Sequence, residues 1–178
     1  MPVEPWQSAE VAGPKKASVI TKPDVADAII KRARRPVLII GHLAAEIDLD
    51  DRKMLDYLLE LAKKGNIPVI GTAHTGREIR KRGYTRVWIL PAVEIGQRLA
   101  DPEWKGLDGN EQYDLAIFAG LPYYMEWTIL SGLKSFAPAL KTIALDNTYQ
   151  PNASWSFANI SVKEWHENLK AIIEHLGD

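Results

Sequence analysis

The sequence predicts an α/β protein built on a three-layer, doubly wound parallel sheet. Three observations lead there. Short apolar runs recur, Pro36-Val37-Leu38-Ile39-Ile40-Gly41, Ile67-Pro68-Val69-Ile70-Gly71 and Asp114-Leu115-Ala116-Ile117-Phe118-Ala119-Gly120. Runs this short and rich in branched side chains suit strands buried on both faces. Amphipathic helical stretches alternate with them, the rhythm that builds parallel sheets through right-handed crossovers. Each run closes on a glycine, at the carboxyl edge where ligands of such sheets bind. The architecture is therefore Rossmann-like.

In chain order, residues 1–20 read as an extended N-terminal arm and 21–178 as a single Rossmann-like domain. The arm carries Pro2, Pro5, Pro14 and a lone Trp6. It either frays or docks Trp6 on a partner or on the domain. Thr21 suits an N-cap, with Pro23 and Asp24 in the first turn. Val25, Ala26, Ile29, Ile30 and Ala33 then form an apolar stripe. The run Lys31-Arg32-Ala33-Arg34-Arg35 falls at the helix C-terminus, where cations complement the macrodipole; a solvated helix end outweighs an anion site. The first strand spans 36–41. A helix from Asp48 or Asp50 to Lys64 buries Met54, Leu55, Leu58, Leu59, Leu61 and Ala62, and Gly65 with Asn66 stops it. The second strand is 67–71, followed by a helix over Gly76 to Arg82.

The third strand runs from Arg86 to Leu90, and Pro91 opens a short helix over 92–100. The polar stretch 101–112 holds Pro102, Gly106 and Gly109 and reads as loop. The fourth strand is 113–119, then a helix over Tyr124 to Phe136 ended by Pro138. Lys141 to Asp146 is the fifth strand, and a short sixth is expected at Phe157 to Ile160. Ser161 and Glu164 form a capping box for the last helix, which buries Trp165, Leu169, Ile172, Ile173 and Leu176. The expected strand order is 3-2-1-4-5 with the sixth at an edge. The switch point then lies between Gly41-His42-Leu43 and Gly120-Leu121-Pro122.

Composition narrows the chemistry. A chain of 178 residues suits one domain, and a net charge of −1 gives no bulk attraction to nucleic acid or anionic membrane. There is no cysteine, which removes disulfides, thiol nucleophiles and thiolate-held iron–sulfur clusters. His42, His74, His166 and His175 lack the spacing of a helical metal pair, so no metal centre is expected. The N-terminal sequence has no signal-peptide core, and no segment approaches the roughly 18 apolar residues of a membrane span. A cytoplasmic location is expected.

The candidate site residues gather at the switch point. Gly41-His42-Leu43-Ala44-Ala45-Glu46 stands where a dinucleotide fold carries G-x-G-x-x-G, but only the first glycine is present and Leu43 would crowd a pyrophosphate. A looser nucleotide or flavin contact at Gly41, His42, Gly120 and Asp146 stays open. Asp146 at the end of strand five can accept from a ribose, or cap the next turn. His42 is the ionisable side chain at the switch point itself, yet no partner stands at a motif distance to make it catalytic. Gly71-Thr72-Ala73-His74-Thr75-Gly76-Arg77-Glu78 has P-loop glycine spacing, but Glu78 sits where magnesium needs a hydroxyl; a strand-to-helix turn is the better reading. Asp48-Leu49-Asp50-Asp51 reads as helix capping before cation binding. Tyr123, Tyr124, Trp127, Tyr149 and Trp155 divide among interface, core and ligand stacking.

Four stretches together carry a likeness: Pro36 to His42, Pro68 to Thr72, Gly120-Leu121-Pro122-Tyr123-Tyr124, and Leu145-Asp146-Asn147-Thr148-Tyr149-Gln150-Pro151-Asn152-Ala153. The chain resembles the epsilon subunit family of the archaeal acetyl-CoA decarbonylase/synthase, or carbon monoxide dehydrogenase, complex. The resemblance implies a fold like the deoxyhypusine-synthase-like NAD/FAD-binding domain. It implies an alpha-two epsilon-two assembly with the carbon monoxide dehydrogenase alpha subunit, inside a larger complex that makes and cleaves acetyl-CoA. In that family the nickel and iron–sulfur chemistry belongs to alpha. The epsilon role is a non-catalytic accessory one that stabilises alpha, with an FAD- or nucleotide-assisted electron transfer as the alternative. The family offers no catalytic residues to carry over.

Overall fold

A computed structural model describes residues 16–177; the Trp6 question lies outside them. Seven parallel strands form the main sheet: β1 (Ser18–Ile20), β2 (Pro36–Ile40), β5 (Val69–Gly71), β6 (Val87–Ile89), β7 (Leu115–Ala119), β8 (Lys141–Ala144) and β9 (Trp155–Phe157). Their order is β1-β9-β8-β7-β2-β5-β6. The expected order therefore holds, with the sixth strand at Trp155–Phe157 and not Phe157 to Ile160. One strand is added outside it. Residues 18–20 were expected in the arm, yet they pair with β9 in parallel register, Ser18 opposite Trp155 and Ile20 opposite Phe157. Three residues are too few to show a period, so only the pairing identifies them.

The two central strands are fully paired, from Pro36 opposite Leu115 to Ile40 opposite Ala119. Their side chains alternate between two cores, as strand geometry requires. Leu38, Ile40, Leu115 and Ile117 face α1 (Pro23–Arg32), α2 (Met54–Lys64) and α6 (Val162–Leu176). Val37, Ile39, Ala116 and Phe118 face α4 (Ala92–Ala100) and α5 (Tyr123–Phe136). The helix α3 (Ala73–Lys81) packs beside β6, and a 3-10 turn, η1 (His42–Ala45), follows β2 directly. Among the described residues no helix is long and apolar enough to cross a membrane.

The helix expected from Asp48 or Asp50 starts later, at Met54. A small antiparallel hairpin intervenes, β3 (Asp48–Leu49) and β4 (Arg52–Lys53). Asp50 turns it with a φ of 60°, a conformation aspartate tolerates, and Lys53 Nζ closes it on Asp48 at 2.6 Å. The carboxylate that serves the helix start is Asp56, which accepts from the Lys53 backbone N–H at 3.1 Å. The expected capping by residues 48–51 is thus corrected. At the other end of α2 the left-handed residue is Asn66, φ 51°, not Gly65. Helix α3 begins at Ala73 rather than Gly76, and Lys22, not Thr21, precedes α1 without a side-chain cap.

The N-cap half of the expected capping box forms at the last helix: Ser161 Oγ accepts from the Glu164 N–H at 3.2 Å. Its Trp165 is 1% exposed and donates Nε1–H to the Leu145 carbonyl at 2.7 Å, tying α6 to the end of β8. Trp165→Phe leaves that carbonyl buried and unpaired, which should lower unfolding free energy by about 2 kcal/mol; urea denaturation measures it.

Candidate functional site

The ends of β2 and β7 meet at the switch point, and the two glycines there face each other. The Gly41 N–H donates to the Ala119 carbonyl at 2.9 Å, and the Leu43 N–H donates to the Gly120 carbonyl at 3.0 Å. A Cβ on Gly41 would stand 2.1 Å from the Gly120 oxygen. Gly120 has a φ of +72°, and a Cβ there would meet Ala44 N at 2.8 Å and Ala44 Cβ at 2.7 Å. Both glycines are thus required by close backbone approach and, at Gly120, by handedness. The glycines that open a pyrophosphate cradle in a dinucleotide fold here close one loop onto the other.

Asp146, just beyond β8, completes the closure. Both of its carboxylate oxygens accept from the Gly120 N–H at 3.0 Å. That is a third arrangement beside the expected ribose contact and turn cap. Burial raises the Asp146 carboxyl to about 6, against the opposing pull of the Gly120 N–H and of Glu126. Glu126, in the first turns of α5, is 0% exposed. Burial first, then the Asp146 charge, push its carboxyl well above the ordinary glutamate range. His42 opens η1, half-buried, with no side-chain hydrogen bond among the described residues.

A cavity of about 130 Å³ remains at this edge, lined by Leu43, Ile47, Leu121, Tyr123, Asp146 and Trp165 among others. Small-molecule sites usually run to about 300–1,000 Å³. At this edge the Gly41 and Gly120 backbones fill each other's approach, and the Leu43 and Gly120 N–H groups have protein acceptors. The structure thus brings Gly120 into direct contact with both Gly41 and Asp146 and leaves His42 beside them.

The other candidates resolve locally. Gly76 packs on β6, where a Cβ would meet Ile89 Cγ1 at 2.5 Å, so the 71–76 turn serves helix-to-strand packing. Among the described residues no three of His, Asp and Glu gather as a metal-binding group. Of the aromatic residues, Tyr149 is 2% exposed and donates its hydroxyl to the Ala17 carbonyl at 2.7 Å. Tyr123 donates to the Tyr149 carbonyl at 3.2 Å. Tyr124, by contrast, is 81% exposed and adjoins the exposed Met125. Lys31 reaches the His175 carbonyl at 2.6 Å and Arg35 pairs with Asp108 at 2.7 Å, so the basic run divides between a helix end and a loop anchor.

Two groups escaped the sequence reading. Glu126 looks like any first-turn acid complementing a helix dipole; nothing in its spacing marks it as buried. The hydrogen-bonded series His166–Tyr57–Asp51, at 2.7 and 3.0 Å, links α6, α2 and the hairpin. It has no local motif because two of its bonded members, Tyr57 and His166, are 109 residues apart.

Comparison with known proteins adds the family. Residues 1–173 match the family described as "CO dehydrogenase beta subunit/acetyl-CoA synthase epsilon subunit". A protein of Methanothermobacter thermautotrophicus named acetyl-CoA decarbonylase/synthase complex subunit epsilon is 38% identical, over 93% of this chain and 92% of its own. Proteins of the same name from Methanothrix soehngenii and, as epsilon 1, from Archaeoglobus fulgidus are each 36% identical, over 95% and 94% of this chain and 89% of theirs.

The closure makes a graded prediction. Gly120→Ala should destabilise by about 3 kcal/mol, combining a left-handed alanine with an overpacked contact. Gly109→Ala has a similar φ of +73° and nothing within 4 Å, and should cost only about 1 kcal/mol. Thermal unfolding of the two variants side by side measures the difference.

Proposed function

The chain belongs to the CO dehydrogenase beta subunit/acetyl-CoA synthase epsilon subunit family, and from that premise we propose that it is a non-catalytic accessory subunit. Its role is to bind and stabilise the carbon monoxide dehydrogenase alpha subunit, in the cytoplasm, within the acetyl-CoA decarbonylase/synthase complex. The observation that carries this reading is the closed switch point, where Gly41 and Gly120 meet backbone to backbone. A scaffold whose usual pocket is filled by its own chain acts through its surface. The absence of cysteine agrees, since nickel and iron–sulfur chemistry needs thiolates that a partner must supply.

The docking surface we favour is the start of α5, where Tyr124 and Met125 stand exposed on a backbone fixed by the Tyr123–Tyr149 and Gln150–Tyr123 bonds. Aromatic side chains on rigid supports are common interface anchors. The second reading, an FAD or nucleotide contact assisting electron transfer, rests on the cavity beside Gly120 and Asp146. Its small volume weighs against it.

Purified with the alpha subunit at micromolar concentration, the chain should co-elute with it. Tyr124→Ala should weaken that association at least tenfold. Phe136→Ser, at the far end of α5 and equally exposed, should leave it unchanged. Two chains that pass through a sizing column separately would refute the accessory role. For the flavin reading, a ligand at 100 times its dissociation constant adds about 2.7 kcal/mol of stability; we expect FAD, NAD and ATP to leave the melting temperature unmoved.

A further inference from the structure

The layer between α5 and the loop 147–154 holds an unusual group of buried oxygens. Glu126 Oε1 and Oε2, Gln150 Oε1 and Asn152 Oδ1 are all out of solvent and have no hydrogen-bond donor among the described residues. The Gln150 amide instead gives its N–H to the Tyr123 carbonyl at 3.0 Å, one turn before Glu126. The acid beside Glu126 is Asp146, whose two oxygens share a single donor, the Gly120 N–H. Two ionised carboxylates facing each other have no donor between them and repel. One proton on the pair changes both facts, because a carboxylic acid donates where a carboxylate only accepts.

We propose that Glu126 is held as a neutral carboxylic acid that donates its proton to the Asp146 carboxylate, and that this shared proton latches the first turn of α5 onto the closed switch point. The bond links α5 to Asp146, and through Asp146 to Gly120. Its surroundings offer no substitute charge. From α5 the nearby titratable group is the Tyr123 phenol, from the loop the Tyr149 phenol with the amides of Asn147, Gln150 and Asn152. From α6 the Trp165 N–H is committed to Leu145. Among the described residues no lysine, arginine or histidine acts on either carboxyl, His42 on η1 included. Burial raises both acids, so the closed state binds protons more tightly than the open one. Its advantage is full at acid pH. It declines as pH rises from the ordinary carboxyl range through about 6, where Asp146 titrates, and further as Glu126 loses its proton.

Carbon-13 spectra of the full chain labelled at glutamate carboxyls test the idea directly. At pH 7 one glutamate carboxyl should still resonate in the protonated position, and Glu126→Gln should remove that signal. Hydrogen exchange reads the latch itself. The protection factor of the Gly120 amide should fall about tenfold per pH unit between about 6, where Asp146 has titrated, and the pH at which Glu126 gives up the shared proton, and level off above it. Glu126→Gln, whose amide donates to Asp146 at every pH, should flatten that dependence. A wild-type spectrum with every glutamate ionised at pH 7, or a Gly120 protection factor indifferent to pH, overturns the proposal. Should Glu126→Gln fail to fold, the wild-type spectrum alone decides.

Discussion

The contact on which the rest of this structure depends is the approach of Gly41 to Gly120. A methyl group on the first would lie 2.1 Å from the carbonyl of the second, so the two loops can join only because neither carries a side chain. That join sets the path of η1, turns the chain from β7 into α5, and presents the Gly120 N–H to Asp146. Sheet and helices stand on ordinary hydrophobic packing, with two cores either side of continuous parallel strands. The carboxyl edge stands on this one backbone contact.

Closing the edge changes what the fold can do. Open α/β sheets bind ligands where strand order reverses, because diverging loops leave a crevice there. In this chain the loops converge and bond to each other, and a small cavity survives beneath Tyr123 and Trp165. A protein that fills its own crevice retains a rigid platform with exposed side chains at defined places, Tyr124 and Met125 among them. The chain's membership in the epsilon subunit family accords with the accessory role proposed above, in which the platform and not a pocket is used.

Much of the fold was legible before any coordinates. The runs ending at Gly41, Gly71 and Gly120 are buried strands, the expected order of six strands is the one observed, and Ser161 caps α6. Errors fell where local pattern competes with long-range pairing. Ser18–Ile20 is too short to read as a strand and exists because β9 offers an edge. Residues 48–53 have the acidic content of a helix start, but Asp50 in a left-handed turn and the Asp48–Lys53 pair make a hairpin instead. At the site, Gly41, Gly120 and Asp146 were identifiable as neighbours by topology, whereas their contact with one another was not.

The sequence by itself determined the layers, the strand order and the absence of thiol chemistry, because periodicity and composition are local properties that survive without coordinates. Only the tertiary structure decided whether the crevice would be open or shut, and that Glu126, an unremarkable acid in a helix start, would be fully buried beside a second carboxyl. The physical reason is the same in both cases. Distances of a few tenths of an ångström between separate segments of the chain fix whether a backbone leaves room for a ligand and whether an acid can reach water, and no spacing within one segment encodes them.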